Sequence, residues 1–490
     1  MNALGRLAAA ALALAAVSAC GGREPAPSPQ PTRGPTAIPA APSAPAWSAA
    51  DVSALQARLR GALGVSALAT SGIAVVDGDG RPLFTRRERV PMTPASTFKV
   101  LVGAAALETL GPNYRFSTTF ESVDDPAPDG KVDGDLFLVG SGDPLLTRDD
   151  LRGGVAALAR AGVRDVSGAV VADASLFSGP EVNRGWDPDD LQYGYAAGTS
   201  ALSLDQGTVE FHLVPTSPGV AARVRVLPPS DMVRVTGAIV TSYTTLLTIQ
   251  RDPARNDFTL DGRVEAGAEQ SFWRPVTDLP RYAAGVVRAM LRERGIAVES
   301  GIRTGVAPLA PLVLWRHRSP PLREIVHEMM LESNNHFAEQ LLRAVGATRG
   351  AGTEANGGLV ERAILARGSV PQDGLRIVDG SGLAPSDRVA PLTLAVLLAR
   401  VAQEPVGPLF VGALPRVGIE GTVRHRRVRD ALGRARAKSG HIANVNALTG
   451  YVQTRHHGRV AFAILVNDRR ADDGPVEIGI NRALDILARS

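Results

Sequence analysis

The feature that most limits how this chain can fold is a change of texture in its middle. Helical apolar periodicity at Asp51 to Arg60 and Thr97 to Leu110 gives way, between about residues 119 and 274, to short strand-like runs rich in Gly, Pro and Asp. Examples are Asp135 to Val139, Gly168 to Val171 and Val224 to Leu227, with one helical interval from Asp149 to Ala161. Helical spacing returns at Tyr282 to Gly295 and at Pro321 to Ala344, the latter interrupted at Ser333-Asn334-Asn335. Three strand candidates then follow (Arg434 to His441, Ala447 to Val452, Val460 to Val466) before a helix from Val476 to Leu487. An early hairpin, Gly72 to Val76 and Pro82 to Thr85 around Asp77-Gly-Asp-Gly80, completes the pattern. These elements imply an α+β fold whose antiparallel sheet takes strands from both ends of the chain, interrupted by strand-rich inserted domains. At 490 residues the chain is too long for one core, so two or more domains are expected.

The first residues carry Arg6, an apolar run from Leu7 to Val17, and then Ser18-Ala19-Cys20. A charged start, a short apolar stretch and small residues before a processing point are the marks of a secretory signal, here residues 1–19, and the run is too short to span a bilayer. Cys20 is the sole cysteine, so no internal disulfide can form, and its setting resembles a bacterial lipobox. That resemblance implies cleavage before Cys20, lipid on its thiol, and a membrane-anchored lipoprotein in the periplasm or cell envelope. A plain signal peptide that happens to contain a cysteine is the alternative. Residues 20–50 are dominated by Pro, Ala and Ser, which read as an extended linker. The 53 basic residues are offset by 49 acidic ones spread along the chain, so nothing points to nucleic acid.

Lysine is scarce: only Lys99, Lys131 and Lys438 occur, a bias that Arg-rich composition can explain. Ser96-Thr-Phe-Lys99 places a hydroxyl and an amine one helical turn apart, and a lysine whose pKa is lowered can take the proton of a serine nucleophile. Taken alone it is equally an N-cap serine beside a solvated lysine. Ser333-Asn334-Asn335, at a break between two apolar helices, can aim a hydroxyl and an amide into a cleft, or can simply cap a helix. Lys438-Ser439-Gly440, in a strand-like run, offers a cation, a hydroxyl and a residue without a side chain against which a substrate backbone could lie; by itself it could be a turn. In order along one chain, the three match the Ser-x-x-Lys, Ser-Asp-Asn and Lys-Thr-Gly set of penicillin-binding proteins and class A β-lactamases.

The gaps of 237 residues from Ser96 to Ser333 and 105 from Ser333 to Lys438 are too long at the first interval for a β-lactamase. With Gly134 to Pro144, Asp379-Gly-Ser-Gly-Leu383, Gly421-Thr422 and Asn444 to Tyr451, the pattern resembles the D-alanyl-D-alanine carboxypeptidase/endopeptidase family, the class C low-molecular-mass penicillin-binding proteins. The resemblance runs from about residue 51 to the end. It implies a penicillin-binding, serine β-lactamase-like transpeptidase domain at 51–118 and 275–490, with residues 119–274 inserted. It also implies that Ser96 attacks the carbonyl of the penultimate D-Ala of a peptidoglycan stem peptide and that Lys99 takes its proton. Ser333 would protonate the departing amine, and Asn335 would orient the acyl chain. The backbone N–H groups of Ser96 and His441 would form the oxyanion hole, and Lys438 and Ser439 would hold the substrate carboxylate. Lys438 would also help keep Lys99 neutral. Gly440 and Gly382 would border the bound substrate, β-lactams would acylate Ser96 as covalent inhibitors, and neither a cofactor nor a metal is implied.

Asn334 and Ser439 depart from the Asp and Thr of the motif set without removing the groups it needs. Ala384-Pro385 stands where the family often has Ser-Arg, which leaves Arg388 to supply that cation. Trp186, Asp189 and Tyr195 resemble residues that face the site in relatives and read the stem side chain; ordinary core packing is the other explanation for the two aromatics. Competing functions are a β-lactamase or esterase, and a non-catalytic wall-binding lipoprotein. Against these, no Gly-x-Ser-x-Gly elbow is present, and His327-Glu328 has Leu331 where a zinc-binding helix would need histidine. The non-catalytic protein should have lost one of Ser96, Lys99 or Lys438. Oligomeric state is left open.

Overall fold

The computed structural model describes residues 45–252, 254–467 and 473–490. The expected leader, Cys20 and most of the linker lie outside the described residues.

Five antiparallel strands form the sheet that carries the site, in the order Ala435–Ile442, Val445–Gln453, Arg459–Val466, Gly72–Val76, Pro82–Arg86. Strands from residues 72–86 and 435–466 therefore lie side by side, as the early hairpin and the three late apolar runs imply. The strands read as near-continuous apolar runs because both sheet faces are covered. Ile73, Val75, Leu448, Val452, Phe462 and Ile464 point into one core, against the helices Ala49–Leu63 and Asp473–Arg489. The alternating residues Ala74, Val76, Ala447, Tyr451, Ala461 and Ala463 enter another, filled by Lys99–Thr109, Leu322–Glu332, Asn335–Ala347 and Pro391–Val401. Small residues dominate the strand positions on that second face, which lets the helices approach closely. Helix Ala49–Leu63 starts at a capping box, with the Ser48 hydroxyl accepting from Asp51 N–H at 3.1 Å and the Asp51 carboxylate accepting from Ser48 N–H at 3.1 Å.

A separate core surrounds Phe120, Leu138, Val170, Phe211, Phe258 and Leu260. Its mixed sheet has the order Ile302–Thr304, Val170–Asp173, Leu136–Gly140, Ser117–Ser122, Leu312–Arg318, and further small sheets are built from residues 208–275. Tyr282, Val286 and Met290 of helix Leu279–Glu293 also enter this core. Helix Leu279–Glu293 and strand Leu312–Arg318 thus lie with this core, the apolar face of the helix finding its cover there rather than on the five-stranded sheet. Among the described residues, no helix is long and apolar enough to cross a membrane.

Candidate active site

Ser96 sits in a short 3₁₀ turn, Ala95–Phe98, that runs directly into the helix Lys99–Thr109. Ala95 has φ 47°, a left-handed conformation that a residue with a side chain adopts only under constraint from its surroundings. Gly382 fixes it: with φ +77°, any side chain there would run into the Ala95 carbonyl, so only glycine lets the 379–384 loop close over the start of the helix. The strand Ala435–Ile442 approaches from the other side. A Cβ at Gly440 would lie 2.7 Å from Pro94 O, 2.9 Å from Thr97 N and 3.0 Å from Ser96 N, all backbone atoms.

The Lys99 Nζ donates to Ser96 Oγ at 2.9 Å, to Asn335 Oδ1 at 2.7 Å and to the Ser381 carbonyl at 2.8 Å. Burial drives its pKa down to about 7, against the opposing charges of Asp379 and Glu339. Lys438, equally buried, is pushed well below the ordinary lysine value by burial and then by the charge of Lys99. Its Nζ donates to the Ser439 carbonyl at 2.7 Å, and the Ser439 hydroxyl lies 2.7 Å from that of Thr422.

The second motif is a helix break. Ser333 has φ 59° and ends Leu322–Glu332, and Asn334 then caps Asn335–Ala347 through a 3.1 Å bond from Phe337 N–H to its Oδ1. The capping reading of this tripeptide applies to Asn334, while Ser333 and Asn335 border the cleft. Asn335 accepts from Lys99 and donates to the Tyr195 carbonyl at 2.9 Å, so one side chain bridges Lys99 and the 194–196 turn. Ser96, Ser333, Asn335, His441, Tyr195, Asp187 and Asp190 line one cleft of about 520 Å³. Tyr195, Ser333 and Asn335 also border a neighbouring cavity of about 590 Å³ that reaches Gln206 and Trp273.

Two expected contacts are placed elsewhere. Trp186 is buried against Ala196, Leu383 and Ala384, where its indole N–H donates to Asp379 Oδ2 at 2.9 Å: a buried indole needs an acceptor, and this one faces away from the cleft. Asp189 is exposed and outside the cleft. It lies in the 3₁₀ turn Pro188–Gln192, whose three-residue period puts Asp187 and Asp190 on the cleft side and Asp189 off it. Tyr195 does reach the cleft, and its hydroxyl donates to Asp190 Oδ1 at 2.6 Å. The Arg388 guanidinium is occupied by Thr93 Oγ1 at 2.9 Å and by the carbonyls of Pro385 and Asp387, each at 2.7 Å, and does not line the cleft.

Sequence reasoning missed the carboxyl groups behind the lysine. Glu339 accepts from Gly380 N–H at 3.1 Å and Ser381 N–H at 2.8 Å, while Asp379 accepts from Gly382 N–H at 2.6 Å and Ala384 N–H at 2.7 Å. Glu361 and Asp387 are buried beside them. Acidic Glu339 standing four residues after Asn335, with Phe337, Ala338, Leu341 and Leu342 around it, was the available signal: a charge within a helix otherwise inside the core is there for a partner.

A penicillin-binding fold with a serine hydroxyl accepting from a lysine one turn away defines a class of serine peptidases. The chain belongs to the D-Ala-D-Ala carboxypeptidase 3 (S13) family, whose model matches residues 55–489. It is 34% identical over 442 residues to the D-alanyl-D-alanine carboxypeptidase of Actinomadura sp. (strain R39), covering 85% of this chain and 81% of that protein. Its fold matches the crystal structure of penicillin binding protein 4 from Haemophilus influenzae with a TM-score of 0.76 at 24% identity, over 90% of this chain and all of that one. The same Haemophilus protein complexed with a novel β-lactam matches with a TM-score of 0.71 at 23% identity, over 90% of this chain and 100% of that one. The protein is thus a serine-type D-Ala-D-Ala carboxypeptidase.

Proposed function

We propose that the enzyme hydrolyses the D-Ala-D-Ala bond of peptidoglycan stem peptides, as a carboxypeptidase, a D,D-endopeptidase or both, through an ester on Ser96. The observation that carries this is the 2.9 Å contact from Lys99 Nζ to Ser96 Oγ, in surroundings that leave the amine substantially neutral near pH 7. Neutral Lys99 takes the Ser96 proton as Oγ bonds to the carbonyl carbon of the penultimate D-Ala. The negative charge that builds on the carbonyl oxygen meets the N–H groups of Ser96 and His441, a reading supported by the close seating of Gly440 on Ser96 N. The C–N bond then breaks, and the proton passes from Lys99 by way of Ser333 to the leaving amine. Water, deprotonated by the same lysine, hydrolyses the ester and restores Ser96.

Asn335 holds the acyl chain, and Ser439 and Thr422 offer hydroxyls to the terminal carboxylate, with Lys438 behind them. Asp187 and Asp190 favour a stem side chain ending in an amine. The adjoining 590 Å³ cavity leaves room for more than one terminal residue beside Ser333, which supports cleavage of cross-links as well as of D-Ala ends. A β-lactam would acylate Ser96 in the same geometry and leave slowly. Export and lipid attachment at Cys20 are part of the same proposal, on the strength of residues 1–20, with the sheet-bearing domain working in the envelope and the second body inserted into it.

The test is labelling with a fluorescent penicillin, read by gel and intact mass. Label on the parent and none on Ser96→Ala supports the ester. A folded parent that stays unlabelled would turn the case toward a wall-binding protein without catalysis.

A further inference from the structure

Lys99 has three acceptors, and only Ser96 and Asn335 belong to the catalytic motifs; the third, the Ser381 carbonyl, is offered by a loop whose backbone is held from below. Glu339 grips the N–H groups of Gly380 and Ser381, and Asp379 grips those of Gly382 and Ala384 while accepting from Trp186 Nε1. Both are buried, at 1% and 0% exposure, so their charges act on the lysine through protein rather than water. Asn335 and Glu339 are one helical turn apart, so the same helix supplies one acceptor directly and braces the loop that supplies the other.

We propose that Glu339 and Asp379 are positioning residues that act as one unit, aiming the Ser381 carbonyl at Lys99, with the charge of Asp379 favouring the ammonium form of that lysine. This rests on Lys99 being the base. The groups facing the lysine are these two carboxyls and Lys438. Those facing the pair are Asp387 from the loop, Glu354 and Glu361 from helix Glu354–Arg367, and Arg343, which pairs with Glu354 at 3.0 Å. Burial, then Asp379, pushes Glu339 up to about 8, and burial, then Asp379, pushes Asp387 up to about 11. Asp387 thus holds its proton at neutral pH, and Glu361 is raised in the same sense. Asp379 accepts from three N–H donors, those of Trp186 Nε1, Gly382 and Ala384.

Acylation of Ser96 by a fluorescent penicillin would be timed from pH 5 to 9 in the parent, Asp379→Asn, Glu339→Gln and Glu339→Asp, with thermal melts alongside. Removing the Asp379 charge near an ammonium favours its neutral form, so the rising limb in Asp379→Asn is expected to move at least half a pH unit toward acid. Glu339→Gln replaces a carboxyl that is largely protonated near pH 7, so its limb should stay, and both plateaus should fall about tenfold. Glu339→Asp keeps the carboxyl and shortens the reach, so its plateau should fall while the limb stays. If Asp379→Asn leaves the limb in place, or Glu339→Gln keeps the parent's plateau, the proposal is overturned. Should both neutral variants fail to fold, Glu339→Asp decides, and a parent-like plateau overturns it. A parent with no limb near pH 7 refutes the lysine base itself, a separate failure.

Discussion

Gly440→Ala tests whether the spacing between strand and helix sets the reactivity of Ser96. The added methyl would meet Pro94 O at 2.7 Å, where ordinary contact begins at 3.4 Å, so strand and turn must part by 0.7 Å, the difference of the two. Thr97 N at 2.9 Å and Ser96 N at 3.0 Å need relief in the same direction, and none of these atoms can swing away as a side chain could. A misplacement of 1 Å costs on the order of a hundredfold in rate, so 0.7 Å should cost about twenty-five-fold in the second-order constant of acylation. Overpacking adds about 1–3 kcal/mol of destabilisation. The assay is stopped-flow or gel-timed acylation by fluorescent penicillin, with urea unfolding on the same sample. Gly153→Ala is the control: it lies in helix Arg148–Arg160 with nothing within 4 Å of its Cβ position, and should stabilise by about 0.5–1 kcal/mol and leave acylation alone. Acylation of Gly440→Ala within threefold of the parent, at unchanged stability, would refute the reasoning.

The parent's acylation rate should rise through about pH 7 and fall tenfold per unit below it, since the Lys99 proton must leave first; a flat profile from pH 5 to 8 contradicts this. The same shift has a stability consequence. The unfolded lysine keeps a proton up to about pH 10.5 that the native one loses above about 7, so native stability gains from this group as pH rises through that window. Between pH 7 and 9 the parent should gain about 2 kcal/mol relative to Lys99→Met, read from urea midpoints. Asp190→Asn should raise KM about tenfold for stems ending in an amine and little for stems with a neutral side chain, as measured by D-Ala release. Asn334→Ala should lose about 1 kcal/mol of stability with its cap, and Asn335→Ala should instead lose acylation rate, which separates the two roles in one tripeptide.

What the sequence disclosed and what it hid divide along a physical line. Strands 435–466 and the hairpin at 72–86 were legible because a sheet covered on both faces leaves unbroken apolar runs, and Ser96, Lys99, Ser333, Asn335 and Lys438 because their chemistry sits in short local patterns. The cleft-facing acids were not legible: whether Asp187, Asp189 or Asp190 turns inward depends on a 3₁₀ turn of five residues, too short to leave a periodic trace. Trp186 was left between site and core because an aromatic near a site and an aromatic beneath it look alike in one dimension, and it packs in the core. Glu339 meets its backbone partners only in a loop 41 and 42 residues further on, and helix Leu279–Glu293 joined the second core because an apolar stripe does not say which of two cores will cover it.

The interleaving of chain ends in the central sheet has a consequence in time. Lys438 follows Lys99 by 339 residues, and Gly72–Val76, paired on one side with Pro82–Arg86, finds its second neighbour only when Arg459–Val466 has been made. A growing chain therefore carries its serine and lysine through most of synthesis without the strand that closes the site. The cleft is completed last, by the final hairpin, so fragments cut short before residue 435 should be inert.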